Sequence, residues 1–185
     1  MRRTPSTVKL WLAGCFISVV LVGLVYGAVQ QNYRQNANDP QIQLAEDTSE
    51  ALNAGAMPAS LVAARGTTVQ MDESLAPFIV IVDKNEHQLA SSANLNGHVP
   101  LPPASAFRAA AANIGKDPTR PGENVFTWQP TPGIREAAVI TTYNGGYVVA
   151  ARSLREVEHR ESNLEIISGA ALVVLLAGLS AIFWV

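Results

Sequence analysis

Two long stretches without a charged side chain lie near the ends of the chain and constrain its fold more than any other feature. The first runs from Leu10 to Tyr33 and the second from Ile166 to Val185, and neither contains Asp, Glu, Lys, Arg or His. About 20 residues of α-helix rise about 30 Å, the thickness of the hydrocarbon core of a bilayer. The sequence therefore predicts a lipid bilayer as a partner, crossed by helices over residues 10–29 and 166–185.

Basic residues at the N-terminus predict the orientation of these helices. Arg2, Arg3 and Lys9 precede the first span without an accompanying acidic residue. Lys and Arg beside a first span stay cytoplasmic. We therefore expect residues 1–9 and the C-terminus on the cytoplasmic side of the membrane, and the central segment outside it.

The first apolar stretch has two alternative interpretations. A cleaved signal peptide has a shorter apolar core and small residues at its cleavage site, whereas Tyr26-Gly27-Ala28 matches such a site poorly. Leu12-Ala13-Gly14-Cys15 has the composition of a lipobox, but the apolar run continues for more than ten residues beyond it. We interpret the stretch as an uncleaved anchor and Cys15 as a small apolar residue within it. With no second cysteine, the central segment has no disulfide.

The central segment carries nearly all the charge. Residues 34–165 hold all fifteen acidic residues and ten of the thirteen basic ones, a net charge of −5. This negative charge makes nucleic acid a poor partner. Its apolar patterns and turn residues predict helices over 39–55, 58–65 and 104–114 and strands over 78–82, 87–91, 125–128, 135–142 and 147–152. Five antiparallel strands with helices packed on one side form a small α+β domain, here residues 30–152.

The end of this domain leads directly toward the second span. Ser153-Leu154-Arg155-Glu156 has the spacing of a capping box, in which the serine side chain bonds a backbone N–H three residues on. We therefore expect a charged stalk helix over residues 153–165 that continues into the span over 166–185.

Three stretches of the sequence carry a resemblance to a known family. They are Asn38–Asp47, Phe126–Pro130 with Gly133–Arg135, and Ala151–Glu158. Together with the predicted element order between two spans, they resemble the extracytoplasmic PAS-like or single Cache sensor region of bacterial membrane histidine kinases. The resemblance implies a PAS-like fold and a role in two-component signal transduction. It also implies a location in the inner (cytoplasmic) membrane of a bacterium, with the central segment in the periplasm. Such kinases continue into a phosphoacceptor histidine and an ATP-binding domain, which this sequence lacks; His159 lies on the predicted outer stalk.

No catalytic pattern is visible in the sequence. The three histidines have no metal-ligand spacing, and no phosphate-binding loop or nucleophile motif is present. We therefore predict no enzymatic activity, no cofactor and no metal site.

A small-molecule ligand is the binding hypothesis that the resemblance favours, because PAS-like folds hold ligands between the sheet and the elements covering it. Trp128, Arg135 and Tyr143 would supply an apolar wall, a charge that can hold a carboxylate in two hydrogen bonds, and a hydroxyl. Alternatively, Trp128 is a core residue, Arg135 pairs with a surface acid and Tyr143 caps a hairpin.

The apolar stretches also contain small residues at helical spacing. Gly23 and Gly27 form a G-x-x-x-G pattern, and Ala177 and Ala181 a milder version of it. Bare backbones let membrane helices approach closely, so these residues predict helix packing and a homodimer; glycine is also common in membrane helices in general.

These observations predict a membrane-anchored sensor that relays ligand or partner binding to its spans. Without an output domain it would act on another membrane signalling protein, or it is a truncated kinase. The alternative is a tethered structural or assembly protein whose central domain binds a partner protein.

Overall fold

A computed structural model of the 185-residue chain describes residues 5–36, 39–116 and 118–184. Arg2 and Arg3, on which the predicted orientation rests, lie outside these residues. The chain forms two compact units, which we call the terminal unit (Met1–Gln35 with Val157–Val185) and the central unit (Asn36–Glu156). In chain order the elements are α1 (Pro5–Asn36), α2 (Asp39–Asn53), α3 (Pro58–Ala63), β1 (Val69–Gln70), β2 (Phe78–Asp83), β3 (Gln88–Ser91), β4 (Ala93–Asn94), α4 (Ala104–Ala112), β5 (Glu123–Thr131), β6 (Ile134–Tyr143), β7 (Gly146–Ser153) and α5 (Arg155–Trp184).

A five-stranded antiparallel sheet forms the centre of the central unit, in the order β3-β2-β7-β6-β5. The prediction of an α+β domain with five antiparallel strands is confirmed. Strand β2 is an inner strand that is buried from Phe78 to Val82, as its unbroken β-branched run predicted. At the tight turn between β6 and β7, a Cβ on Gly146 would overlap the carbonyl oxygen of Val82, which explains the glycine.

Helices cover both faces of this sheet, so the prediction that they pack on one side is wrong. Helix α2 packs with Ile42, Ala45 and Leu52 on the face that carries Ile79 and Val139. Helix α4 packs on the opposite face, with Phe107 among Phe78, Val80 and Ile140. The physical reason lies in the inner strands, because β2, β6 and β7 are apolar on both faces and each face must be covered.

Strand β5 extends further than the sequence predicted. It was expected over residues 125–128, but it spans Glu123–Thr131, with an irregular register between Trp128 and Thr131. Proline is tolerated here because β5 is an edge strand, where a missing N–H donor costs no ladder bond.

Two short strands were missed altogether. Strands β1 and β4 pair in parallel, with Val69 opposite Ala93. Their buried side chains extend the core beneath α4. Two-residue strands have too few residues for a periodic pattern, so the sequence predicted only connecting chain here.

The junction between β7 and α5 differs from the predicted capping box. Ser153 remains the last residue of β7, and its Oγ accepts a hydrogen bond from the Arg155 N–H at 3.3 Å, two residues along instead of three. The Glu156 carboxylate binds the Arg152 guanidinium at 2.6 Å. Because Ser153 pairs with β6, Leu154 alone connects the strand to the helix.

In the terminal unit, α1 and α5 are both long and apolar enough to cross a membrane, over residues 6–33 and 155–183. The Trp11 indole N–H donates to Ser180 Oγ at 3.3 Å, and a Cβ on Gly14 would touch Leu179. The start of α1 therefore lies beside the end of α5, so the helices are antiparallel, which fits a two-pass membrane protein.

The small residues singled out in the two spans lie away from this contact. A Cβ on Gly23 or Gly27 would meet no atom within 4 Å. Ala177 and Ala181 are exposed as well. Packing through these four residues therefore stays a prediction about contacts between copies of the chain, whereas the contact within the chain uses Gly14.

Candidate functional site

A groove of about 490 Å³ runs along the edge strand β5. One wall is formed by Pro100, Leu101 and Pro103 in the connection before α4, and the other by residues 126–130 of β5. Six of its eight lining residues are apolar or aromatic, and the other two are Thr127 and Gln129. Small-molecule sites typically combine such a lining with a few polar groups.

The proline-rich wall explains why the edge of β5 stays open. Three of the four residues from 100 to 103 are proline, and Pro103 has an extended backbone with φ −64° and ψ 148°. Proline has no N–H to donate, so this segment cannot add a regular ladder to β5. The connection therefore forms a wall beside the strand instead of a sixth strand.

Of the three ligand-binding residues that the sequence predicted, Trp128 lies in this groove. Its side chain is 6% exposed, belongs to the core beneath α4 and lines the groove. Trp128 therefore fits both alternatives that the sequence left open, because it is a core residue and also part of an apolar wall.

Arg135 and Tyr143 lie elsewhere, so the three residues do not form one site. Arg135 is exposed on β6, next to the buried Glu136 and therefore on the opposite face from it. Tyr143 lies at the other end of β6 and packs against the core beneath α2. Its hydroxyl donates to the Val82 carbonyl at 3.4 Å, and burial raises the pKa of the phenol.

The polar residue that sequence reasoning missed is Glu136. Its side chain is 0% exposed, and neither carboxyl oxygen has a hydrogen-bond partner within residues 5–36, 39–116 and 118–184. In the sheet, Glu136 lies directly between Trp128 on β5 and Ser153 on β7. Side chains at such paired positions have Cβ atoms about 5 Å apart. We call Trp128, Glu136 and Ser153 the three-strand row.

The electrostatic environment of Glu136 favours its neutral form. Burial raises the pKa of the carboxyl to about 7, and the positive charge of Arg155 opposes that rise. The Arg155 side chain donates from Nε to Ser153 Oγ at 3.3 Å. The three-strand row therefore contains a carboxyl group that changes charge near neutral pH, one strand from the start of α5.

A periodic pattern in the sequence could have revealed Glu136. Alternate residues of a strand share a face, and Ala138 and Ile140 both lie in the core beneath α4. Position 136 continues that series, so the sequence places a carboxylate on the buried face.

A second groove, of about 500 Å³, lies between the end of α4 and the start of β5, and its charged lining residues are Lys116, Arg120 and Glu123. Burial and the neighbouring Glu46 carboxylate raise the pKa of Glu123, whose Oε1 accepts a hydrogen bond from Thr141 at 3.5 Å. Across the part of the chain that the structure describes, no group of three or more His, Cys, Asp or Glu side chains could hold a metal ion.

Comparisons of the chain with protein-family models, with curated proteins and with solved structures found no match.

Proposed function

We propose that this chain is a membrane-anchored, extracytoplasmic sensor-like protein of bacterial signal transduction. A ligand or partner binds the central unit at the β5 groove, and the change is relayed to the second membrane-spanning helix. In this proposal the central unit lies outside the inner membrane, and both termini lie on its cytoplasmic side.

The observation that carries the proposal is the direct connection between β7 and α5. Strand β7 is the middle strand of the sheet, with β2 on one side and β6 on the other. Leu154 alone separates it from α5, which is one unbroken helix of 30 residues. A shift of the middle strand therefore acts on the helix without a flexible linker, and packed elements transmit small rigid-body movements of this kind.

The groove lies on the same three strands as this connection. Trp128 forms part of the groove wall, and the three-strand row connects it through Glu136 to Ser153, the last residue of β7. A molecule that displaces Trp128 would change the packing of Glu136 and therefore the end of β7. The lining suits an apolar or aromatic molecule with one or two hydrogen-bonding groups.

One observation favours a second candidate, a tethered assembly protein that binds a partner protein. The groove is open along an edge strand, and such edges offer unpaired backbone groups to an extended peptide. In this alternative, the occupant of the groove is a segment of another protein and the relay is absent.

Thermal unfolding of the full-length protein in detergent tests both candidates. We expect at least one compound from a panel of indole, tryptophan, phenylalanine and 4-hydroxybenzoate to stabilise the central unit, by about 2.7 kcal/mol at one hundred times its dissociation constant. The substitution Gln129→Arg places a long charged side chain at the exposed edge of the groove and should abolish this stabilisation.

Gln88→Arg is the matched control, because Gln88 is an exposed residue on β3, the opposite edge of the same sheet. It should leave the stabilisation unchanged. Stabilisation by short extended peptides alone would favour the assembly protein. If no compound stabilises the protein, or if Gln129→Arg has no effect, the groove is not a small-molecule site.

A further inference from the structure

We propose that the proton is itself a stimulus for this protein, with the Glu136 carboxyl as the group that takes it up at the junction between β7 and α5. In the neutral form, the carboxyl packs in the three-strand row while Arg155 bonds Ser153. In the ionised form, the carboxylate competes with Ser153 for the Arg155 side chain. The inference rests on the proposed relay and names a stimulus for it.

The geometry of the row makes Glu136 unusual among the acidic residues. Its side chain is fully buried, and both of its oxygens lack a partner among the described residues. Burying an ionised carboxylate without a partner is so unfavourable that the group takes up a proton instead. The neutral carboxyl is therefore the form that this packing stabilises.

Among the residues that the structure describes, Arg155 is the one whose positive charge favours the ionised form of Glu136. Arg155 is the first residue of α5, and its positive charge acts on Glu136. Its Nε and its backbone N–H both bond Ser153 Oγ at 3.3 Å. A charge-assisted bond to a carboxylate is about twice as strong as a bond to a neutral hydroxyl, so ionisation draws Arg155 away from Ser153. A negative charge near a helix N-terminus is also favourable.

Within residues 5–36, 39–116 and 118–184, no charged group other than Arg155 shifts the pKa of Glu136. Strand β5 presents Trp128 and β7 presents Ser153 at the paired positions. On α4 the charged residue is Arg108, which is exposed. Arg135 on β6 is exposed on the other face of the sheet. Burial outweighs the effect of Arg155 and raises the pKa of Glu136 to about 7, so the two forms exchange near neutral pH.

Trp128 provides a direct probe of this exchange. We would replace Trp11 and Trp184 by phenylalanine in the full-length protein, so that Trp128 is the remaining tryptophan, and reconstitute it in nanodiscs. Its emission should change with pH with a midpoint near 7. The change should disappear in Glu136→Gln, which keeps the size of the side chain and cannot ionise.

Two arginine variants test the role of Arg155. Arg155→Gln removes the charge that opposes protonation, so the midpoint should move to higher pH. Arg152→Gln is the matched control, because Arg152 lies at the same junction but pairs with Glu156. It should leave the midpoint in place.

Hydrogen exchange over residues 150–158, corrected for the intrinsic effect of pH on exchange rates, measures whether protonation of Glu136 changes the junction between β7 and α5. We expect protection of this segment to change with the same midpoint as Trp128 emission and to be independent of pH in Glu136→Gln. Without a Trp128 transition in the wild-type protein, Glu136 is not the sensing group, and a ligand sensor remains tenable. A Trp128 transition with unchanged exchange would overturn the relay itself, and with it the proton as a stimulus.

Discussion

Replacing Phe107 by alanine is expected to destabilise the central unit by about 3–5 kcal/mol, the usual cost of removing a large buried aromatic side chain. Phe107 is 1% exposed and is the largest side chain that α4 contributes to the core beneath it. Its ring makes a T-shaped contact with the ring of Tyr147 on β7, with the centroids 5.3 Å apart and the planes at 63°. The substitution leaves a cavity between α4 and the middle strand of the sheet.

Chemical denaturation in detergent, followed by Trp128 emission in the protein without Trp11 and Trp184, measures this loss. The matched control is Arg108→Ala, the next residue of α4, which is exposed. Surface substitutions of this kind usually change stability by less than about 0.5 kcal/mol. A loss below about 1 kcal/mol for Phe107→Ala would mean that α4 does not cover the sheet as described.

The stability of the central unit is expected to fall as the pH rises from about 4.5 to about 7, and Glu136 is the main reason. Its folded-state pKa lies above the unfolded value, so the folded state binds more protons in this window. The stabilising contribution is therefore fully present below the unfolded pKa and is lost as the pH passes the folded one. The full contribution is up to about 3 kcal/mol, since one pKa unit corresponds to about 1.4 kcal/mol.

Glu136→Gln should remove most of this pH dependence and make the protein more stable than the wild type above pH 7. The raised pKa of Glu123 acts in the same direction, so Glu123→Gln serves as a comparison and should have the smaller effect. The pKa of Asp83 is lowered, chiefly by the hydrogen bond from the His87 backbone N–H, so its contribution is lost only as the pH falls through the acidic range. Equal slopes for the wild type and Glu136→Gln would contradict the assignment.

The parts of the fold that could be predicted are those in which one pattern dominates. The β-branched run over Phe78–Val82 predicted an inner strand, and the alanine-rich stretch predicted α4, because in each the same kind of residue continues over the whole element. The second covered face was not predicted. An unbroken apolar run indicates that both faces of the strand are buried. It therefore argues for helices on both faces of the sheet, whereas the predicted fold had helices on one face.

The candidate site could be predicted only in part, for a reason of register. Trp128 was identified from its residue type, but Arg135 was chosen where its neighbour Glu136 is the buried residue. A shift of one position moves a side chain to the other face of a sheet. Tyr143 was grouped with Trp128, although the two side chains lie on opposite faces of the sheet. Only the register between β5 and β6 shows this, and the sequence alone does not give that register.

The orientation of the chain in the membrane is the central claim, and labelling of single cysteines tests it most directly. Cys15 would be replaced by serine, and one cysteine introduced at Gln88 in the central unit or at Ser6 before the first span. A membrane-impermeant maleimide should label Gln88→Cys in intact bacterial spheroplasts and Ser6→Cys only after permeabilisation. The reverse pattern, or recovery of the protein from the soluble fraction without detergent, would contradict the account.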